Sequence, residues 1–143
     1  VGVNNHMGSR FTTAKEPMRE VLHVLSRREL FFMDSLTSPD SVVKQLASNM
    51  DMRTISRDIF LDNKKKVESI RSQLRKAENL AREWGQVVVS GHPYPQTIEA
   101  LRKWLENKSE EVRPCRLSRL VHAENDSQAE RRMADGTTDS GYH

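Results

Sequence analysis

Short apolar runs recur along this chain at a spacing that leaves room for one helix between each pair, and few folds accommodate that rhythm. The runs lie at residues 1–3, 30–33, 55–61 (broken by Ser56, Arg57 and Asp58) and 87–89, with a weaker one around 114–117. Their starts fall about every 25 to 33 residues, the length that a right-handed β-α-β crossover requires. A mostly parallel sheet is therefore expected. The runs are continuous rather than alternating, as in strands covered by helices on both faces or ringed by them in a barrel.

The intervening segments carry helical periods. Val67, Ile70, Leu74, Ala77, Ala81 and Trp84 form one apolar stripe, while Glu68, Arg71, Arg75, Lys76 and Arg82 face water. Gly85 follows directly as the expected C-cap. Further helices are predicted over 16–28, 41–50 and 96–107, with Asp40 as the N-cap of the second. After Val121 the pattern stops, and residues 122–143 read as a polar tail expected to be disordered.

Length and composition bound the rest. With 143 residues, 36% of them hydrophobic, the chain makes one domain at most and has enough apolar side chains for a core. No run of about 18 apolar residues and no secretory pattern is visible, so no membrane span is expected. The net charge of +3 comes from 23 basic residues interleaved with 20 acidic ones. No aromatics alternate with the basic residues, which speaks against nucleic acid as a partner. The run Lys64-Lys65-Lys66 reads as a solvated face at a helix start, and the lone Cys115 as structural.

In parallel β/α architectures, function collects in the loops after the strands. Here those loops hold Asn4-Asn5-His6, Asp34-Ser35, Asp62-Asn63 and Ser90-Gly91-His92-Pro93-Tyr94, and the third strand itself carries Arg57-Asp58. Imidazoles, carboxylates and a guanidinium on one rim suit metal-assisted hydrolysis, in which the cation acidifies water and a His moves a proton to the leaving group. Each group also has a plainer role. A strand-end His often only satisfies a hydrogen bond, Asp34-Ser35 can start a turn, and Asp62-Asn63 can cap the long helix. Arg57 and Asp58, adjacent in a strand, would point to opposite faces.

The stretches VGVNNHMGSRFT, LFFMDSLTSPDSV, RDIFLDN and GHPYPQTIEAL, in this order and spacing, closely resemble the C-terminal half of the divergent polysaccharide deacetylase family, in the NodB-like superfamily. The resemblance covers residues 1–121. It implies a distorted (β/α) barrel and a metal-dependent hydrolase that removes N-acetyl groups from a cell-envelope glycan, acting in the periplasm or envelope. The alternative is a non-catalytic carbohydrate-binding or scaffold protein. Carried over by motif, His6 corresponds to a metal ligand, with Zn2+ the expected metal, and Asn4, Asn5, Ser9 and Tyr94 to residues lining the glycan site. His92 stands where the superfamily keeps its general acid, and Asp34, Arg57 and Asp58 match positions around the pocket. Glu29 stands where relatives often have Gly.

The family's opening strands, one ending in an Asp-Asp pair and one in a His, have no counterpart here. The chain is therefore expected to be a fragment, inactive alone, with zinc bound weakly or not at all. It is also expected to expose a sheet edge at its first strand through which copies could associate.

Overall fold

The computed structural model describes residues 1–121, so the expected disordered tail at 122–143 lies outside the described residues. These residues divide into two compact units: Val1–Ser56 with residues 116–121, and Arg57–Cys115. Each unit has its own parallel sheet and its own core.

The first unit contains β1 (Gly2–Asn4), α1 (Ser9–Thr12), α2 (Lys15–Arg27), β2 (Phe31–Asp34), α3 (Val43–Ser48) and β3 (Thr54–Ser56). Its sheet has the order β1-β2-β3, with both pairings parallel. Central β2 is the most deeply buried strand. Met18, Leu22 and Leu25 of α2 pack with Phe32, Val43, Leu46, Ala47 and Met52 to form the core. Gly2 lies directly opposite Phe31, and a Cβ on Gly2 would come within 2.4 Å of the Phe31 ring. The missing side chain lets that ring lie across β1.

The second unit contains β4 (Ile59–Phe60), α4 (Val67–Trp84), β5 (Val89–Ser90) and α5 (Pro95–Asn107), with β4 and β5 paired in parallel. Ile59 and Leu61 pack under Ile70, Leu74, Ala77 and Leu80 of α4 and Ala100 of α5. The stripe predicted for α4 is the face that is buried, and Gly85 ends the helix at φ 84°. Pro95 opens α5 at a position whose N–H a helix leaves unused.

Four details differ from the sequence reading. The third apolar run is two strands in two sheets, so Arg57 and Asp58 lie between strands rather than within one. The cause is local: the Asp58 N–H donates to the Val88 carbonyl and Asp58 Oδ2 accepts from the Val88 N–H, which holds the chain beside β5 from this point. The weak run at 114–117 is not a strand, since Pro114 has no N–H for a ladder, and the chain instead makes a 3₁₀ turn at Leu117–Arg119. Asp40 does not cap α3; Val42 does, and the nearby Val43 N–H is met by Ser41 Oγ. Finally, α1 is an extra helix, started by Gly8 at φ 82° and too short to leave a period in the sequence.

Among the described residues, no helix is long and apolar enough to cross a membrane.

Candidate active site

The two units each bring one imidazole past the end of a strand.

In the second unit, β4 and β5 run in register with Phe60 opposite Ser90. Two residues further on, that register brings Asp62 beside His92. The Asp62 side chain is fully buried, and it grips His92 twice: Oδ2 accepts the His92 backbone N–H at 2.5 Å, and Oδ1 meets ring Nδ1 at 3.1 Å. Thr97 Oγ1 adds a third hydrogen bond to Oδ2 at 2.9 Å. A carboxylate only accepts, so Nδ1 carries the hydrogen in this contact, which fixes the orientation of the ring. Phe60 stands edge-on to the His92 ring at 5.3 Å and Tyr94 lies tilted beside it at 5.0 Å, so the imidazole is fixed by aromatic contacts as well. Gly91 makes the geometry possible, because a Cβ there would lie 3.2 Å from Asp62 Oδ2.

Arg57 and Asp58 belong to the same unit. The Arg57 guanidinium lies 4.9 Å from the centroid of the Phe60 ring, so it borders the aromatic group around His92. Asp58 accepts from the Val88 N–H at 2.6 Å and helps join β4 to β5.

In the first unit, His6 is exposed just beyond β1. Its loop is tied to the loop after β2 by Asn5. Asn5 Oδ1 accepts the Ser35 N–H at 2.8 Å, the Asn5 carbonyl accepts from Ser35 Oγ at 2.7 Å, and Asn5 Nδ2 donates to the Met7 carbonyl at 3.1 Å. Met7 and Leu36 are both left-handed, at φ 58° and 46°, a conformation that non-glycine residues hold only when surrounding contacts impose it. Asp34 is buried, with Oδ1 accepting the Leu36 N–H at 2.9 Å and Oδ2 accepting from Ser41 Oγ at 2.6 Å. Those two bonds close its own loop. Asn4 is exposed, with Nδ2 donating to the Asn5 carbonyl, and Ser9 is exposed at the first turn of α1.

Sequence reasoning singled out His92 but treated Asp62 as a strand end or a helix cap, and it passed over Phe60 and Thr97. The signal available was the pair FLD and SGH, each an apolar strand followed by a polar residue at the same offset. Only strand register converts that offset into contact.

Zinc sites of catalytic type use three protein ligands. Among the described residues, no three His, Cys, Asp or Glu side chains form a group able to hold a metal. His6 is exposed and Asp34 is engaged in its own loop, so the described residues do not by themselves fit such a site.

Comparison with known proteins finds similar chains. The chain is 34% identical over 122 residues to the uncharacterized protein YibQ of Escherichia coli, an alignment covering 85% of this chain and 38% of that protein. It is 36% identical over 112 residues to an uncharacterized protein of Haemophilus influenzae, covering 78% and 40%. The crystal structure of an uncharacterized Agrobacterium tumefaciens protein superposes with a TM-score of 0.69 at 29% identity, covering 72% of this chain and 42% of that one. The chain thus spans about two fifths of the length of these relatives. The family model for divergent polysaccharide deacetylases matches residues 1–121, and the chain belongs to that family.

Proposed function

We propose that this chain supplies the proton-transfer part of a carbohydrate N-deacetylase, a hydrolase that removes N-acetyl groups from a cell-envelope glycan. The observation that carries this reading is the 3.1 Å contact between Asp62 Oδ1 and His92 Nδ1. Once water has added to the N-acetyl carbonyl, the tetrahedral adduct expels its amine only after the nitrogen is protonated, because the deprotonated amine is too basic to leave. A ring held through Nδ1 by Asp62 is fixed in one orientation for passing that proton. Phe60 and Tyr94 hold the ring in place, and Arg57 adds positive charge at the edge of the same group.

The remaining assignments belong to the same proposal. Asn4, Ser9 and Tyr94 would contact glycan, whereas the side chain of Asn5 serves the loop that carries His6. His6 would be one metal ligand, with the others drawn from outside the described residues. The barrel architecture, a periplasmic or envelope location, and self-association along β1, an edge strand of its sheet, are further parts of it.

The test is acetate release from N-acetylated oligosaccharides, with zinc supplied, by the 143-residue chain and by a chain extended to the length of its relatives. Activity is expected only in the extended chain, with His92→Gln lowering kcat by about 10² to 10⁴. Undiminished turnover in His92→Gln would remove His92 from the reaction. Oligosaccharide binding without acetate release in the extended chain would favour carbohydrate binding over catalysis.

A further inference from the structure

The lysine run that reads in the sequence as a solvated face has a more specific placement in the fold. Lys64, Lys65 and Lys66 are exposed and follow Asp62 and Asn63 directly. The Lys66 N–H donates to the Lys64 carbonyl at 2.7 Å, which closes a three-residue turn with Lys65 at its apex. The apex side chain folds back, with Nζ 4.1 Å from the centroid of the Tyr94 ring. The same ring stands 5.0 Å from the imidazole of His92. The ammonium is therefore held one aromatic ring away from the proposed proton donor.

The charges around this point are unequal in their access to solvent. Asp62, the carboxylate nearest His92, is buried and already accepts three hydrogen bonds. Asp58 is half-buried and accepts from the Val88 N–H. The fully exposed charges on this stretch are the lysines. A π face attracts the ammonium but leaves its N–H donors able to reach oxygen ligands, so the contact orients Lys65 without satisfying it.

We propose that Lys65, seated on Tyr94, forms an anion-binding subsite beside His92, and that the glycan accepted there carries a carboxylate or phosphate on a sugar next to the N-acetylated one. This rests on the deacetylase reading and narrows its substrate class to acidic glycans.

The experiment is calorimetric titration of the 143-residue chain at low salt with hexa-N-acetylchitohexaose, which is neutral, and with a hyaluronan hexasaccharide, which alternates the same N-acetyl sugar with a carboxylated one. The acidic oligosaccharide should bind about three- to fivefold more tightly, the range of an exposed ion pair, and the preference should shrink as salt rises. Lys65→Gln should abolish the preference while leaving chitohexaose affinity unchanged, and Arg75→Gln, exposed on α4, should preserve it. A parallel titration with N-acetylglucosamine and its 6-phosphate shows whether phosphate is accepted as well as carboxylate. Equal affinities for the two hexasaccharides, or a preference that survives Lys65→Gln, would overturn the subsite and leave the deacetylase reading standing. No binding of either hexasaccharide would overturn the subsite on this chain, while acetate release by the extended chain tests the deacetylase reading separately.

Discussion

His6 and His92 both stand just past parallel strands, but His92 is half-buried and His6 is exposed. In the second unit the side chain itself is gripped: one buried carboxylate takes both the backbone N–H and the ring of His92. In the first unit the loop that carries His6 is itself tied down. Asn5 ties the β1 loop to the β2 loop, Asp34 closes the latter, and left-handed Met7 and Leu36 shape the two turns. His92 is thus set by a buried carboxylate, and the His6 loop by bonds between partly exposed loops. Substitutions should therefore act at different levels in the two units.

The largest effect is expected from Asp62→Ala. It removes the acceptor of three hydrogen bonds at a buried position and leaves the Thr97 hydroxyl and the His92 N–H without their partner, which should destabilise the chain by about 3 kcal/mol. Urea unfolding measures this, and NMR of the His92 ring should show lost line dispersion while His6 is unchanged. If His92 keeps its native chemical shifts in Asp62→Ala, the ring is held by Phe60 and Tyr94 rather than by the carboxylate.

Gly91→Ala should follow at about 1 to 2 kcal/mol, since the added Cβ meets Asp62 Oδ2 at 3.2 Å and Leu61 Cβ at 3.3 Å. The carboxylate sits on a buried strand end and has little room to move. An unchanged unfolding midpoint would mean that the Asp62–His92 grip has slack, and the contrast with the first unit would weaken.

Why this contrast was only partly legible in the sequence is a matter of register. The α4 stripe, the Gly85 cap and most of the strand-helix rhythm are local patterns, and they appear in the fold where the spacing put them, the split run at 55–61 and the run at 114–117 excepted. Asp62 and His92 are 30 residues apart, and nothing local distinguishes a carboxylate that caps a helix from one that orients an imidazole. The same holds for Asp34, whose partners Leu36 and Ser41 make it a loop-closing group once the turn exists. The break at Ser56, Arg57 and Asp58 was visible as an interruption. Its meaning, a change of sheet, depends on Val88 supplying both a donor and an acceptor.

In the first unit, Asn5→Ala should cost about 1 kcal/mol, because the lost amide bonds lie in partly exposed loops where water replaces them. The informative readout is position rather than stability: His6 resonances should shift and broaden while those of His92 stay in place. A His92 response equal to that of His6 would mean the two ends are coupled, and the comparison would have to be redrawn around a single site.

The smallest expected effect separates strain that serves a loop from strain that serves nothing visible. Glu29 is left-handed at φ 55°, as Met7 and Leu36 are, but it lies at the far end of β2 from Asp34. There it ends α2 in a Schellman turn: the Glu29 N–H donates to the Ser26 carbonyl and the Leu30 N–H to the Leu25 carbonyl. Both bonds are made by the backbone, so the side chain adds only the steric penalty of a Cβ in that conformation, and glycine would keep the turn without it. Glu29→Gly should therefore raise stability by about 0.5 to 1 kcal/mol, with no change in oligosaccharide binding. Met7→Gly relieves a similar strain but loosens the backbone next to His6, so any gain in stability should come with a less ordered loop. If Glu29→Gly instead lowers stability, the Glu29 side chain contributes more to this turn than its backbone geometry implies, and strain at the helix end is then as purposeful as strain at the site.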